Sequence, residues 1–312
     1  MIAPASANII AKMAHGIADD MLSTTVLACR CKKLVAPAMN TNMFENPITQ
    51  DNLNTLRHYG FGIIEPAVGM LACKDVGAGK LPKEELLYNH ILQEILYEKD
   101  LAGKKVLITA GPTCEPVDPV RIYTNRSSGK MGYSLAKECS LRGADVTLVT
   151  GKTTLEPWPF VKVVPIETAQ QMFEEVTSRA PEMDIIIKAA AVADYRPKTV
   201  ADEKIKKSDG EFVLEFERTQ DILKYLGEHK PDGQFLCGFS METENMLENS
   251  RSKLSKKNAD MIVANNLKVQ GAGFAGDTNV VTMITKDSVK ELELMSKDQV
   301  AHHIVDEIVS RI

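Results

Sequence analysis

At 312 residues the chain is long enough for two domains of about 150 residues each, and its 44% hydrophobic and 25% charged residues are the balance of a folded, water-facing protein. A net charge of -5 argues against a general nucleic-acid surface, no apolar run reaches membrane-spanning length, and the N-terminus has no charged stretch followed by an apolar one of the signal-peptide kind. The 6 cysteines are scattered, and Cys29-x-Cys31 is neither a zinc nor a thioredoxin spacing, so the expectation is free thiols in a cytoplasmic protein.

In chain order, Ala3-Pro4-Ala5-Ser6-Ala7-Asn8 reads as a loop feeding a helix from Ile9 to His15. A short strand, Lys33 to Ala36, enters Pro37-Ala38-Met39-Asn40-Thr41-Asn42-Met43-Phe44; a capped helix from Pro47 to Tyr59 follows, then a brief strand and a Gly-rich segment around Cys73. Leu86, Leu87, Ile91, Ile95 and Leu96 recur at helical spacing. A polar boundary near residue 100 predicts domains at 1–100 and 101–312.

The second block opens with the continuous apolar run Val106 to Thr109, the pattern of a strand buried in a parallel sheet. It breaks at Gly111-Pro112 into a long polar loop and resumes as a helix from Gly129, with Met131, Leu135, Ala136 and Cys139 on one face. Strand, loop and helix N-terminus together predict a site for a phosphorylated ligand. Neither common phosphate motif is present. Gly129-Lys130 is followed by Met131, so a P-loop would lack its magnesium hydroxyl, and the absence of GxGxxG disfavours a dinucleotide-dependent reductase. Asn125, in the same loop, has an ordinary use in an Asx turn.

Strands at Val146 to Thr150, Val161 to Ile166 and Asp184 to Ile187, with a helix from Ala169 to Arg179, predict right-handed βαβ units in a doubly wound, Rossmann-like parallel sheet. The third strand runs into Ala189-Ala190-Ala191-Val192-Ala193-Asp194, where small residues let backbone approach a ligand and Asp194 can take a sugar hydroxyl or a metal-bound water. In Glu203-Lys204-Ile205-Lys206-Lys207, Lys204 and Lys206 share one side, a run that by itself reads as a solvated face. Alternation in Phe212 to Phe216 predicts a hairpin arm partnered with Ile205. Further strands end at Phe239 and at Asn265-Asn266; Lys253 and Lys257 are four apart on the helix between them. Two antiparallel runs, Val280 to Thr285 and Val289 to Leu294, and a helix from Lys297 close the chain.

The motif GPTxEPxDPVRxxxNxSSGKMG, present as Gly111 to Gly132, resembles the nucleotide-binding signature of phosphopantothenate-cysteine ligase. In bacteria that enzyme is commonly fused behind a flavin-dependent phosphopantothenoylcysteine decarboxylase, and residues 3–8, 37–43 and the segment around Cys73 resemble motifs of that partner. The resemblance implies a doubly wound ligase domain behind a flavodoxin-like decarboxylase domain. The reaction implied joins 4'-phosphopantothenate and cysteine, with CTP and Mg2+, through an acyl-cytidylate. Asn125 and Lys204 are then catalytic, and Gly111, Ser127, Ser128, Gly129, Lys130, Ala190, Ala191, Asp194, Phe239, Lys253, Lys257 and Asn265 hold CTP or phosphopantothenate, Asp194 also meeting the metal. Phe274 and Asn279 are weaker members of the same site.

For the first block the resemblance implies FMN bordered by Ser6 and Asn8, substrate held by Asn40 and Met43, and Cys73 protonating the enethiolate after carbon dioxide leaves; Phe44 stands where the family usually has Trp. The family's Gly-rich first turn and decarboxylation histidine have no counterpart here, and His15 and His58 match neither by motif. This block is therefore expected to be truncated and without decarboxylase activity. The partners implied are small molecules, with ligase domains paired as dimers; the alternative is a non-catalytic, flavoprotein-like subunit that binds a partner.

Overall fold

The computed structural model describes residues 1–71, 76–207, 212–242, 246–266 and 276–312, which fall into two compact units, Met1–Tyr97 and Glu98–Ile312. The first unit runs β1 (Ile2–Ala5), α1 (Ala7–His15), α2 (Met21–Ala28), β2 (Leu34–Pro37), α3 (Thr41–Glu45), α4 (Pro47–His58), β3 (Gly62–Ile63), β4 (Ala67–Met70), β5 (Val76–Lys80) and α5 (Glu84–Ile95). Strands β1, β2 and β3 pair in parallel, and Ile9, Ile10, Val35, Leu53 and Leu56 pack one small core.

Helix starts here are set locally. Ser6 accepts the Ile9 amide ahead of α1, and Asn46 accepts the Ile48 amide ahead of α4, which has Pro47 at its first position. Two expectations change. Ala3 to Ala5 lies within β1 rather than in a loop, and Met21 to Ala28 is a helix whose apolar residues face several ways, so periodicity did not announce it.

The second unit runs β6 (Lys105–Ala110), β7 (Cys114–Pro116), β8 (Ile122–Thr124), α6 (Lys130–Leu141), β9 (Asp145–Thr150), β10 (Lys162–Pro165), α7 (Ala169–Arg179), β11 (Ile185–Lys188), β12 (Tyr195–Pro197) and β13 (Phe216–Arg218). It continues with α8 (Ile222–Glu228), β14 (Phe235–Glu242), α9 (Met246–Lys256), β15 (Met261–Asn266), β16 (Thr278–Asn279), β17 (Val281–Thr285), β18 (Val289–Glu291), β19 (Met295–Ser296) and α10 (Lys297–Val309).

One sheet carries the order β10-β9-β6-β11-β14-β15-β17-β18, parallel from β10 through β15 and antiparallel beyond. Successive residues of β6 feed different cores, as alternation requires. Val106, Ile108 and Ala110 join Leu135, Cys139, Val300 and Ile304, while Leu107 joins Met172, Val176, Ile222 and Leu254. Phe216 pairs with Pro197 across β12 and β13, so the arm expected against Ile205 is built instead on the strand that follows the Asp194 segment.

Arg142, like Glu138 of α6 and Lys297 of α10, is a charge buried in this unit. Its side chain is 7% exposed and donates to Asp100 on one side and Asp306 on the other. The guanidinium hydrogen bond, opposed by partial burial, holds the Asp100 carboxyl below its usual range. Asp100→Asn should therefore cost about 1 kcal/mol at neutral pH, allowing for solvent screening. A depressed carboxylate stabilises above its unfolded pKa of about 3.9, and that contribution disappears as pH falls through the folded value. Denaturant unfolding should show the wild type ahead at pH 7 and the gap shrinking as pH falls below about 3.9; a gap that does not change with pH would refute the charge assignment.

Candidate functional site

Reading outward from β6, the chain proceeds to β9 and β10 on one side and to β11, β14 and β15 on the other. The connections leaving the carboxyl ends of β6 and β11 thus diverge, and a crevice opens between them. Backbone closes its floor. The Ala191 amide donates to the Gly111 carbonyl at 3.0 Å and the Thr113 amide to the Ala191 carbonyl at 3.3 Å, while Ala190 and Ala193 amides donate to the Thr109 and Thr113 hydroxyls at 3.1 and 3.0 Å.

Close approach explains the glycines. Gly111 and Gly129 hold φ of +72° and +81°, and a Cβ on Gly129 would sit 2.9 Å from Thr153 Cγ2 and 3.3 Å from Gly111 Cα. A Cβ on Gly132 would lie 2.5 Å from Ala110 Cβ. Helix α6 therefore begins directly over the end of β6, without a side-chain cap, and its first amides are available to another acceptor. Asp118 braces the preceding loop. Burial works against its ionisation, but the amides of Val120, Ile205 and Arg121 outweigh this and hold its carboxyl below the ordinary range.

The crevice is a cavity of roughly 350 Å³. Its lining brings together Asn125, Ser127, Ser128, Gly129, Lys130, Ala190, Ala191, Asp194, Phe239, Lys253, Asn265 and Asn279, all expected from the sequence. Asn125 makes no Asx turn with its own loop; its Nδ2 donates to the Ala191 carbonyl at 3.0 Å, across the crevice floor. Asn279 Nδ2 donates to Asn265 Oδ1 at 3.1 Å.

Gly111, Lys204 and Lys257 lie outside the lining. Gly111 packs behind it, where its own Cβ would meet the Gly151 carbonyl oxygen at 3.1 Å. Lys204 is exposed on a segment tethered at Ile205, whose amide reaches Asp118 and whose carbonyl accepts from Arg121. Lys257 is bound to Asp221, the cap of α8. Phe274 lies outside the described residues.

Two lysines in the lining were missed. Lys188 ends the apolar run Ile185–Ile187, and a cation closing a buried strand at its carboxyl end was the available signal. Lys297 gave none, because its burial depends on a carbonyl 21 residues upstream in sequence: it is 6% exposed and donates to Gly276 at 2.6 Å.

Charge in the cavity is arranged at two poles. On one, Lys130 pairs with Asp277 at 2.6 Å; burial, and then Lys130 itself, push the Lys297 ammonium down while Asp277 opposes. On the other, burial pushes Lys188 down, the Asp221 and Asp194 carboxylates resist, and Lys253 and Lys257 add to the depression. Among the described lining residues there is neither Cys nor His. The lining is thus equipped to hold a polyanion and stabilise developing negative charge rather than to supply a nucleophile. Among the described residues no group of three or more His, Cys, Asp or Glu converges to hold a metal, so Asp194 offers a lone carboxylate, the kind of contact made to a metal carried by phosphates.

In the first unit the motif segments also meet through backbone. The Ala38 amide donates to the Ala5 carbonyl and the Met39 amide to the Gly79 carbonyl, each at 3.0 Å, and Gly79 has a φ of +125°. Ser6 and Asn8 are exposed at the start of α1, and Asn40 caps α3 by accepting the Asn42 amide at 2.9 Å. An exposed hydroxyl and amide at a helix N-terminus fit a cofactor phosphate. Cys73 lies outside the described residues.

Fold and crevice define a two-unit α/β protein whose larger unit presents a cationic cavity at the carboxyl ends of parallel strands. Residues 101–312 match the family described as DNA/pantothenate metabolism flavoprotein C-terminal domain, and residues 1–96 match the flavoprotein family. The chain is 48% identical to the Coenzyme A biosynthesis bifunctional protein CoaBC of Bacillus subtilis over 99% of its own length and 77% of that protein. It is 44% identical to a cysteine/cysteine sulfinic acid decarboxylase of an unknown prokaryotic organism, over 99% of this chain and 88% of that one. The crystal structure of the C-terminal domain of a CoaBC protein aligns at a TM-score of 0.59 with 48% identity, over 68% of this chain and 97% of that one.

The chain belongs to the family of bifunctional coenzyme A biosynthesis proteins. A flavoprotein match beginning at residue 1 lends no support to the expectation of a truncated first block.

The glycine contacts carry a test. Gly132→Ala forces a Cβ into Ala110 and the Thr109 carbonyl, neither of which can yield without moving β6, so stability should fall by about 1–3 kcal/mol. Gly103→Ala meets open space and strains only its φ of +78°, so it should cost less, about 1 kcal/mol. Thermal unfolding of the two variants decides the order.

Proposed function

We propose that residues 98–312 join 4'-phosphopantothenate to cysteine, using CTP and releasing pyrophosphate and CMP. The supporting observation is a single cavity that gathers Asn125, the Ser127-Ser128-Gly129 helix start and lysines on two walls at the strand ends. A carboxylate does not react with an amine at neutral pH; transfer to the nucleotide α-phosphate supplies an activated acyl group, and both steps build negative charge on oxygen.

In this reading Asn125 donates to the acyl oxygen of the cytidylate with the Nδ2 hydrogen not engaged by Ala191 and orients the incoming amine. Lys204 neutralises the triphosphate as the acyl-nucleotide forms, Asp194 meets the ribose or the phosphate-borne Mg2+, and Lys253, Lys257 and Phe239 frame the nucleotide. The strand order and the two helix-covered cores favour a doubly wound sheet, and the exposed β12–β13 arm favours pairing of ligase domains. Residues 1–97 would hold FMN at Ser6 and Asn8 and substrate at Asn40; FMN, when bound, supplies the two-electron acceptor for decarboxylation of phosphopantothenoylcysteine.

The test incubates the full chain with 4'-phosphopantothenate, cysteine, Mg2+ and either CTP or ATP, with and without FMN, following pyrophosphate and products by mass spectrometry. Phosphopantothenoylcysteine formed with CTP is the expected result; no pyrophosphate with either nucleotide moves the non-catalytic partner-binding reading to the front. Lys204→Gln should suppress pyrophosphate release by about 100-fold or more, whereas Asn125→Asp should release pyrophosphate yet form little amide. Equal loss of both steps in both variants would sink that division of labour.

A further inference from the structure

Lys188 stands apart from the other lysines of the cavity. It sits at the carboxyl end of β11, next to Asn125's acceptor loop, and lines the crevice. Lys130 is bound to Asp277 and Lys297 to the Gly276 carbonyl, and just outside the lining Lys257 is bound to Asp221. Among the described residues Lys188 has no hydrogen-bond or ion-pair partner, although the carboxylates of Asp194 and Asp221 and the ammoniums of Lys253 and Lys257 all act on it. Asp221 is already engaged twice, by the Lys224 amide and by Lys257.

An ammonium carries three donors, and leaving them unused in a largely desolvated wall is costly unless a ligand takes them. Burial accordingly depresses its pKa, a penalty an incoming anion would relieve. Within the lining on this side Lys188 and Lys253 stand with Asp194, while Lys257 and Asp221 pair outside it, so the local balance admits a further negative group.

We propose that Lys188 is a polyphosphate-binding residue of the nucleotide site, donating to phosphate oxygens beyond the first. This rests on the nucleotide reading above. Lys188 holds charge that the nucleoside part of the ligand does not carry, so its contribution separates by ligand. A base-reading or ribose-reading lysine would act on cytidine and CMP as strongly as on CTP. One that reads only the phosphates beyond the first acts on CTP alone.

The experiment titrates CTP, CMP and cytidine, each with Mg2+, into the full-length wild type, Lys188→Met and Lys188→Arg by calorimetry, with thermal unfolding as the folding control. Lys188→Met should weaken CTP binding about 10- to 100-fold, the range for one charge-assisted hydrogen-bonding group, and leave CMP and cytidine unchanged. Lys188→Arg keeps the charge and should stay within about fivefold of wild type for CTP. Equal weakening of all three ligands, or no weakening of CTP in a folded Lys188→Met, overturns the assignment. If the methionine variant does not fold, Lys188→Gln replaces it and is judged by the same two outcomes. A wild type that binds no nucleotide removes the underlying nucleotide reading, an outcome distinct from a variant that binds CTP as the wild type does.

Discussion

Backbone approach between the ends of β6 and β11 is the constraint on which the larger unit depends. The Gly111 carbonyl, the Ala191 amide and carbonyl and the Thr113 amide bond one another, and a Cβ on Gly111 would press on Gly151 and Thr153 behind them. Each such bond contributes about 1 kcal/mol net, no more than the entropy of ordering a single residue. The bonds therefore specify the position of the loops without being able to hold them alone. The holding is done by the strands behind, whose Leu107, Ile108, Ile186 and Ile187 are wholly buried and by transfer of apolar area contribute several times as much. Core supplies stability and backbone supplies shape.

Electrostatics then follows from shape. The chain is acidic overall, yet the cavity gathers Lys130, Lys188, Lys253 and Lys297 against Asp194 in its lining. Like charges a few ångströms apart repel by several kcal/mol near a protein surface, so this concentration requires compensation. Asp277 and Asp221 provide it from just outside the lining, each bound to a lysine. With Asp277 and Asp221 outside the wall, Asp194 is the one carboxylate among the described lining residues, against four lysines. A crevice built with the acids inside would have the same net charge and the wrong sign where a ligand sits.

How much of this was legible depended on whether a feature is local. The buried strands of the larger unit read out because a continuous apolar run is a property of neighbours in sequence, and Ala169–Arg179 matches its expected bounds, with a Thr168–Gln171 capping box at its start. The small residues after β11 and the Gly129 helix start are features of backbone read from neighbours in sequence, and those residues line the cavity. The β7–β8 hairpin was hidden inside a loop rich in prolines, since three-residue strands carry too little alternation to register. Strand order, and with it the reason the crevice lies between β6 and β11, is absent from any periodicity. So is Lys297, whose partner at Gly276 is brought near only by the antiparallel pairing of β16 with β19. Lys204 marks a different boundary: a motif assigns it a role, while its position is set by the Asp118 and Arg121 tethers of a distant loop.

Both units use the same physical device at different charge. In the first, Ala38 bonds to Ala5 across neighbouring parallel strands and Met39 to Gly79, again with a positive-φ glycine where a Cβ would strike a carbonyl oxygen at 2.3 Å. The polar groups placed at that junction, Ser6, Asn8 and Asn40, are neutral. A helix N-terminus with hydroxyl and amide donors is sufficient for a single phosphate, because its amides and partial charge suit one dianion. It is insufficient for a triphosphate, whose charge exceeds what one helix end can offset. The second unit starts from the same neutral set, Asn125, Ser127 and Ser128 over an uncapped helix, and adds lysines from β11, α9 and α10. The number of ammoniums converging on the strand ends, rather than the fold beneath them, is thus the feature by which the two sites differ in the charge they can offset.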